Sequence, residues 1–210
     1  MDLRLHLRDL DKGMVSSWES AFAGVTGVTI SRGDIFSTKP GRIDPGDPID
    51  IEADAIVSPA NSFGHMNGGI DAVYTHVFGP QVQDRLQALL KADHAGELPV
   101  GQAVIVETAN KTIPWCVCAP TMRTPMGVAE TLNAFLAFRA ALLAVRDHNG
   151  SKRKPIRTLL SPGLGTAVGN MPPDRCARQM RAACDRVAGR LRRSRNDFRN
   201  ENRRWRGHDC

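Results

Sequence analysis

The stretch DAIVSPANSFGHMNGGIDAVY, residues 54–74, joins an apolar run to a long polar segment. Ala55–Ser58 is apolar and partly β-branched, which is typical of a buried strand. Residues 58–71 are instead mostly small, flexible or polar. A connection between two elements commonly needs about two to six residues. We therefore interpret this segment as a binding loop that leaves the end of a strand.

Around this stretch, short β-prone runs alternate with longer helical patterns. The predicted strands are Leu3–Leu7, Val28–Ser31, Ala55–Ser58, Ala103–Glu107, Trp115–Ala119 and Thr158–Ser161. The predicted helices are Met14–Ala23, Gly69–Phe78, Pro80–Ala92, Val128–Asn149 and Pro172–Leu191. Such alternation gives a mostly parallel or mixed sheet with helices on both faces. The sequence therefore predicts an α/β fold, a three-layer α/β/α sandwich with a central mixed, mostly parallel β-sheet.

Two segments between these strands have clear patterns. The Val128–Asn149 helix is predicted from apolar residues at three- and four-residue spacing. They are Leu132, Phe135, Leu136, Ala140, Leu143 and Ala144. Ser37–Glu52 is rich in Pro, Gly and Asp without periodicity, and is predicted to be a surface loop.

The composition is typical of a soluble globular protein. The 210 residues suffice for one ordinary domain, and 41% are hydrophobic and 24% charged. No apolar run approaches the roughly 18 to 20 residues of a membrane span, and the N-terminus has no apolar signal region. Five cysteines without CxxC spacing argue against a disulfide framework or a zinc ribbon. We expect a cytoplasmic protein with no membrane partner, no metal and no bound cofactor.

Positive charge is concentrated at the end of the chain. Residues 190–210 hold eight arginines and three acidic residues, which is +5 of the net charge of +6. We predict one domain over residues 1–190 and an Arg-rich tail over residues 191–210. The tail could contact nucleic acid or an acidic partner. A solvated helix end followed by a disordered terminus explains the same pattern.

A second glycine-rich segment, SPGLGTAVGNMPP, spans residues 161–173 between the last predicted strand and the last helix. Its glycines let backbone N–H groups converge on an anion, and the helix N-terminus favours negative charge. A phosphate or diphosphate suits these features, although an ordinary glycine-rich turn accounts for the pattern as well. A P-loop is excluded because no Gly-Lys-Ser/Thr follows, and the GxGxxxG spacing fits a dinucleotide fingerprint poorly.

Ligands of α/β folds bind at the carboxyl ends of the strands, which directs attention to the loops after Ile30, Val57 and Leu160. The second of these loops carries Gly68 and Gly69 at the start of a helix. Two glycine loops at one edge of a sheet can hold a diphosphate from both sides.

Three polar side chains in these loops suit the rest of a nucleotide-like ligand. Asn61 offers an amide donor and acceptor for sugar hydroxyls. The Asp34 carboxylate could accept from an exocyclic amine, and Asp71 lies in the first turn of its helix. Both acids also have plainer explanations, since Asp34 suits a turn and Asp71 suits a helix N-terminus.

The order of these motifs resembles that of macrodomains, the ADP-ribose-binding fold. The matching segments are SRGDIF (31–36), the quoted stretch 54–74 and PGLGTAVG (162–169), in agreeing order over residues 26–190. GELPVGQAVIVET (96–108) and APTMRTPMGVAETLNAFLAFRAALLAV (119–145) resemble a bacterial subgroup of the family.

This resemblance implies a role for each motif residue. Asp34, with Ile35 beside it, matches the acid that recognises the adenine amino group. Asn61 matches the asparagine that holds the distal ribose, and Asp71 matches the aspartate that acts there in hydrolytic members. The two diphosphate loops correspond to Gly68, Gly69 and Ile70 in the first, and to Gly163, Leu164, Gly165, Thr166, Ala167, Val168 and Gly169 in the second.

The chain also departs from the family pattern. Ser58-Pro59-Ala60-Asn61 stands where members commonly show Asn-Ala-Ala-Asn. Met66 and Asn67 stand where members often have glycine, and Asn67 is expected to narrow the distal-ribose pocket or to add a contact. Ala167 replaces the last glycine of the usual Gly-Thr-Gly, so a Cβ is expected to face the diphosphate region and change the binding strength.

The resemblance and the chemistry together lead to the hypothesis of an ADP-ribosyl hydrolase. Its substrates would be proteins that carry ADP-ribose esters on Glu or Asp. Such an ester has a carboxylate leaving group, so one base that positions water suffices. Asp71 would be that base and Asn61 would orient the distal ribose, whereas the carboxylate pair of most glycosidases is missing. Two alternatives are a non-catalytic ADP-ribose reader and a phosphatase acting on ADP-ribose 1″-phosphate.

A few other polar and sulfur-containing side chains lie in or near these loops and helices. His65, within the first loop, and Arg123, after a strand end, could each contact the ligand, although a plain loop role explains both. His76, on a helix, is predicted to be structural. The cysteines 116, 118, 176 and 184 match no metal-ligand spacing and suit buried packing.

Overall fold

Six strands are interspersed with five helices in the computed structural model, which describes residues 3–39, 48–151 and 154–189. The strands are β1 (Arg4–Asp9), β2 (Val28–Arg32), β3 (Ala55–Ser58), β4 (Val104–Glu107), β5 (Trp115–Cys118) and β6 (Thr158–Ser161). The helices are α1 (Lys12–Ala21), α2 (Gly69–Phe78), α3 (Gln81–Asp93), α4 (Asn133–Asn149) and α5 (Pro173–Val187). The order of strands and helices predicted from the sequence is confirmed.

The strands form one sheet in the order β2-β1-β6-β3-β5-β4. Every pairing is parallel except that of β4 with β5, which is antiparallel. The sheet is therefore mixed and mostly parallel, as predicted. Because five strands run in one direction, their carboxyl ends lie along a single edge, and the loops that leave them share that edge.

Helices cover both faces of the sheet, which confirms the predicted three-layer α/β/α sandwich. Successive residues of a strand point to opposite faces, so Leu159 packs into one core layer and Leu160 into the other. The first layer is shared with α1, α4 and α5, and includes Trp18 and Phe138. The second layer is shared with α2 and α3, and includes Tyr74.

Helix α4 begins at Asn133, five residues later than its apolar pattern predicted. The preceding residues form a turn instead, in which Thr131 donates from both its backbone N–H and its hydroxyl to the carbonyl of Val128. Val128 in turn donates from its backbone N–H to the carbonyl of Gly169, at 2.7 Å. This contact with a distant loop holds the segment out of the helix, and the sequence of the segment alone does not reveal it.

Part of the predicted organisation lies outside the described residues. The Arg-rich tail, 191–210, belongs there, as do residues 40–47 of the predicted surface loop. Within the described part of the chain, no helix has both the length and the apolar character that crossing a bilayer requires.

Candidate functional site

A cavity of about 380 Å³ opens at the carboxyl edge of the sheet, between the loops that follow β3 and β6. From the first loop, the predicted site residues Asn61, Gly68, Gly69, Ile70 and Asp71 line it. From the second loop, Gly163, Gly165, Thr166, Ala167, Val168 and Gly169 line it. The two loops meet because β3 and β6 are parallel neighbours, with Ile56 opposite Leu160.

Three predicted site residues are not among those that line this cavity. Ile35 is buried in the core layer shared with α2 and α3, and Leu164 is fully buried. The Asp34 carboxylate accepts from the backbone N–H of Phe36 at 2.9 Å, which is the turn role that its sequence also suited. Asp34 and Ile35 follow β2, and the order of the sheet separates that strand from β3 and β6. β2 is the edge strand, and β1 separates it from β6.

The loop after β1 takes the position nearest the second glycine loop. Asp9, which ends β1, lines the cavity and accepts from the backbone N–H of Gly163 at 3.0 Å. Its other oxygen accepts from the backbone N–H of Asp11, also at 3.0 Å. Asp9 therefore fixes the start of the second loop. Sequence reasoning missed it because β1 was predicted to end at Leu7.

Arg8 fixes the loop that contains Asp34 through hydrogen bonds from its side chain. Its side chain is buried, and it donates to the carbonyl oxygens of Asp34 at 2.6 Å and Ser37 at 2.9 Å, and to the hydroxyl of Ser31 at 2.7 Å. Burial lowers the pKa of this guanidinium, and the nearby carboxylates of Asp34 and Asp50 oppose that effect. No sequence motif marked Arg8, since its position in a strand resembles that of any surface arginine.

The first loop leaves open space in front of α2. Gly68 precedes the first turn with an extended φ of −141°, and no side chain caps the helix there. A Cβ built on Gly68 or on Gly69 would meet no atom within 4 Å. Gly69 has a φ of +56°, which favours glycine. The backbone at this helix N-terminus is therefore accessible, because no side chain occupies the space beside Gly68 and Gly69.

In the second loop, packing within the protein requires the glycines. A Cβ on Gly169 would lie 2.5 Å from the carbonyl oxygen of Gly165 and from a methyl group of Val128. Gly165 itself has a φ of +72°. Its carbonyl accepts from the backbone N–H of Met171 at 3.0 Å, which closes the loop. The second loop is thus shaped before any ligand binds.

Asp71 is a buried carboxyl group in the first turn of α2, and it lines the cavity. Only 6% of the residue is exposed, and its Oδ1 accepts a hydrogen bond from the hydroxyl of Ser58 at 2.5 Å. Burial raises the pKa of Asp71 to about 7, and the Ser58 hydrogen bond opposes this effect without cancelling it. A carboxyl group that titrates near neutral pH can serve as a general base there.

Asn61 shapes its own loop. Its side-chain oxygen accepts from the backbone N–H of Phe63 at 3.0 Å and from that of His65 at 3.4 Å. Its side-chain nitrogen donates to the carbonyl of His65 at 2.9 Å. The predicted amide donor to a ligand is therefore reduced to the second hydrogen of this nitrogen.

The departures from the family pattern are accommodated in different ways. Met66 is fully buried in the core layer beneath α2 and α3, and its backbone N–H donates to the side chain of Gln83 at 2.7 Å. Asn67 and Ala167 are exposed, and both line the cavity. The bulk of Met66 is thus turned away from the site.

Of the two other candidate ligand contacts, one lines the cavity and one does not. His65 lines the cavity, whereas Arg123 is not among the lining residues. The Arg123 guanidinium binds both oxygens of Glu97, at 2.7 and 3.0 Å, and lies 5.1 Å from the ring centre of Phe63. The described residues contain no cluster of three or more His, Cys, Asp or Glu that could hold a metal ion.

Comparison with known protein families matches the region that holds both glycine loops. A family model described as Macro domain matches residues 57–180. An uncharacterised protein of Aquifex aeolicus is 31% identical over 139 residues, which cover 66% of this chain and 77% of the relative. A macro domain-containing protein of Caldanaerobacter subterraneus is 27% identical over 147 residues, or 69% of this chain and 79% of the relative.

Solved structures share the fold. The macrodomain of Mycobacterium tuberculosis DarG matches with a TM-score of 0.54 at 19% identity, over 70% of this chain and 93% of that one. A mutant of the Oceanobacillus iheyensis macrodomain with ADPR matches with a TM-score of 0.53 at 19% identity, over 64% of this chain and 70% of that one.

Proposed function

The chain belongs to the macro domain family, and from that premise we propose that its cavity binds ADP-ribose and that it hydrolyses ADP-ribosyl esters on Glu or Asp of modified proteins. One relative in fold is a macrodomain structure with ADPR. The observation that carries the proposal is that two glycine loops leave the neighbouring strands β3 and β6 and line one cavity with Asp71.

The loops supply the chemistry that a diphosphate needs. Helix α2 begins at Gly69, and the free backbone N–H groups and the dipole at its N-terminus favour negative charge. The second loop lines the same cavity and is held by its hydrogen bonds with Val128 and Asp9. With a diphosphate held between them, we expect the distal ribose to lie toward Asp71, which lines the same cavity.

Hydrolysis at that end needs one base. Ionised Asp71 takes a proton from water, the water oxygen bonds to C1″ of the distal ribose, and the C1″–O bond breaks. The Glu or Asp carboxylate of the modified protein leaves with the bonding electrons. Because a carboxylate is a good leaving group, the step needs little acid assistance. The pKa of about 7 makes Asp71 available as a base from neutral pH upward.

A non-catalytic reader is the second candidate, and two contacts favour it. The Asp71 carboxylate is held by Ser58 and is almost fully buried, which limits its access to water. Asn61 uses both ends of its amide within its own loop. A reader would keep the two glycine loops and use these polar groups only to shape the cavity.

Two measurements on the native protein separate these functions. Calorimetric titration with ADP-ribose tests binding, and we expect one site per chain. Incubation with a peptide that carries ADP-ribose on glutamate tests hydrolysis, and we expect release of free ADP-ribose. Binding without release would select the reader, and the absence of binding would contradict both candidates.

A further inference from the structure

We propose that His65 contacts the substrate, as a neutral imidazole whose Nε2–H donates a hydrogen bond to the group attached at C1″ of the distal ribose. This inference rests on the proposed function and adds a residue to it. His65 is exposed, lies within the first loop and lines the cavity together with Asn61 and Asp71.

The main chain of His65 is fixed by the asparagine beside it. Its N–H donates to the side-chain oxygen of Asn61 at 3.4 Å, and its carbonyl accepts from the side-chain nitrogen at 2.9 Å. The loop also lies close to α3, since a Cβ on Gly64 would be 3.0 Å from Leu86. The His65 side chain therefore extends from a backbone that hydrogen bonds fix in place, close to α3.

The ring itself is oriented from α3. The side-chain nitrogen of Gln87 lies 3.1 Å from Nδ1 of His65. An amide nitrogen donates hydrogen bonds, so this contact is a hydrogen bond only in the tautomer whose Nδ1 accepts. The neutral ring then has its proton on Nε2. Among the described residues Nε2 has no hydrogen-bond partner, which leaves this N–H available to a ligand.

A donor at this place suits the charge that develops in the proposed reaction. When the C1″–O bond breaks, negative charge collects on the oxygens of the departing carboxylate. A fixed N–H group beside those oxygens stabilises the charge without moving a proton. Asp71 would then accept a proton from water, and His65 would donate a hydrogen bond to the leaving carboxylate.

The first test compares His65→Phe, which keeps a ring but loses the donor, with His65→Gln, which keeps an N–H donor. The substrate is a peptide with ADP-ribose on glutamate, and ADP, which has no distal ribose, is the control ligand. We expect H65F to lower kcat/KM for the peptide roughly tenfold, as the loss of one hydrogen bond predicts, and H65Q to retain most activity. Affinity for ADP should stay unchanged in both variants.

The second test reads the tautomer directly. A long-range ¹H–¹⁵N NMR spectrum of the native protein should show His65 protonated on Nε2 only. Gln87→Met, which keeps the length of the side chain but removes the donor, should give a mixture of both tautomers. A native ring protonated on Nδ1, or an H65F variant that matches the native protein on the peptide, would overturn the inference.

The proposed function fails separately from this inference. Native protein that does not bind ADP-ribose contradicts the function whatever the His65 spectrum shows. Native protein that binds the peptide without cleaving it is a reader, and affinity for the peptide then replaces kcat/KM. H65F should weaken that affinity relative to ADP, and equal affinities would again overturn the role of His65.

Discussion

The hydroxyl of Ser58 donates a hydrogen bond to the carboxylate of Asp71, with 2.5 Å between Oγ and Oδ1. Ser58 ends β3 and Asp71 lies in the first turn of α2, so this bond joins the two ends of the first loop. Both side chains are buried, and the bond opposes the rise that burial causes in the pKa of Asp71. One serine therefore influences both the shape of the cavity and the titration of its carboxyl group.

Ser58→Ala should raise the pKa of Asp71 further above 7, because the bond that favours the charged form is lost. In the pH profile of ester hydrolysis, the midpoint of the rising limb should move to higher pH. Ser58→Thr keeps the hydroxyl and should leave the midpoint near that of the native protein. An S58A profile that superimposes on the native one would remove Ser58 from this role.

Asp71→Asn should abolish hydrolysis and change how stability depends on pH. The folded-state pKa is raised from 3.8 to about 7, so the folded protein holds the proton more tightly than the unfolded chain. This stabilisation is fully present below about pH 4 and is lost as pH rises through 7. The loss is on the order of 4 kcal/mol, since each pKa unit corresponds to about 1.4 kcal/mol.

The measurement is the melting temperature of native protein and D71N from pH 4 to pH 8. D71N has no carboxyl group to ionise, so its stability relative to the native protein should increase across this range. The same difference at both ends of the range would show that Asp71 is not buried as a neutral acid.

Gly68→Val should block ADP-ribose binding while leaving the fold intact. The backbone at Gly68 is extended, and its Cβ would enter open space at the N-terminus of α2, so valine fits without strain. Gly127→Val is a matched control, because a Cβ there also meets no atom within 4 Å and Gly127 does not line the cavity. Calorimetry should show at least a tenfold weaker Kd for G68V and native affinity for G127V. Equal affinities would remove the first loop from the binding site.

Arg8→Met should loosen the loop that carries Asp34. The change removes the donors to the half-buried carbonyl oxygens of Asp34 and Ser37, at a cost of about 0.5 to 1.5 kcal/mol each. Amide hydrogen exchange should therefore accelerate over residues 33–39 and the melting temperature should fall. Arg4→Met is the control, since Arg4 contacts Thr158 at the protein surface. Unchanged exchange in R8M would show that the loop does not depend on Arg8.

The fold could be predicted because local patterns carry it. Strand β3 is an apolar run that a polar loop ends, and α2 begins where a glycine pair is followed by Asp71. The start of α4 could not be predicted in this way. The apolar pattern of the helix continues back to Val128, and the bond that holds Val128 out of the helix comes from Gly169, 41 residues further along the chain.

In the candidate site too, local motifs could be recognised from the sequence, whereas contacts between distant segments could not. Residues of the two glycine loops were assigned by motif, and the parallel pairing of β3 with β6 brings them to one cavity. Asp34 was assigned by motif as well, but the order of the sheet places its strand at the edge. Strand order depends on contacts between distant segments, and no spacing within the sequence records it. Asp9 and Arg8 were missed for the same reason, since each acts on a loop that belongs to another strand.

The glycine that precedes α2 has a consequence for the ligand itself. Helices usually begin with a Ser, Thr, Asp or Asn side chain that accepts from the first N–H groups, and Gly68 cannot do so. A bound diphosphate would supply those acceptor oxygens and so complete the hydrogen bonding of the secondary structure. Substrate and helix would then stabilise one another, and the melting temperature of the protein should rise with ADP-ribose concentration.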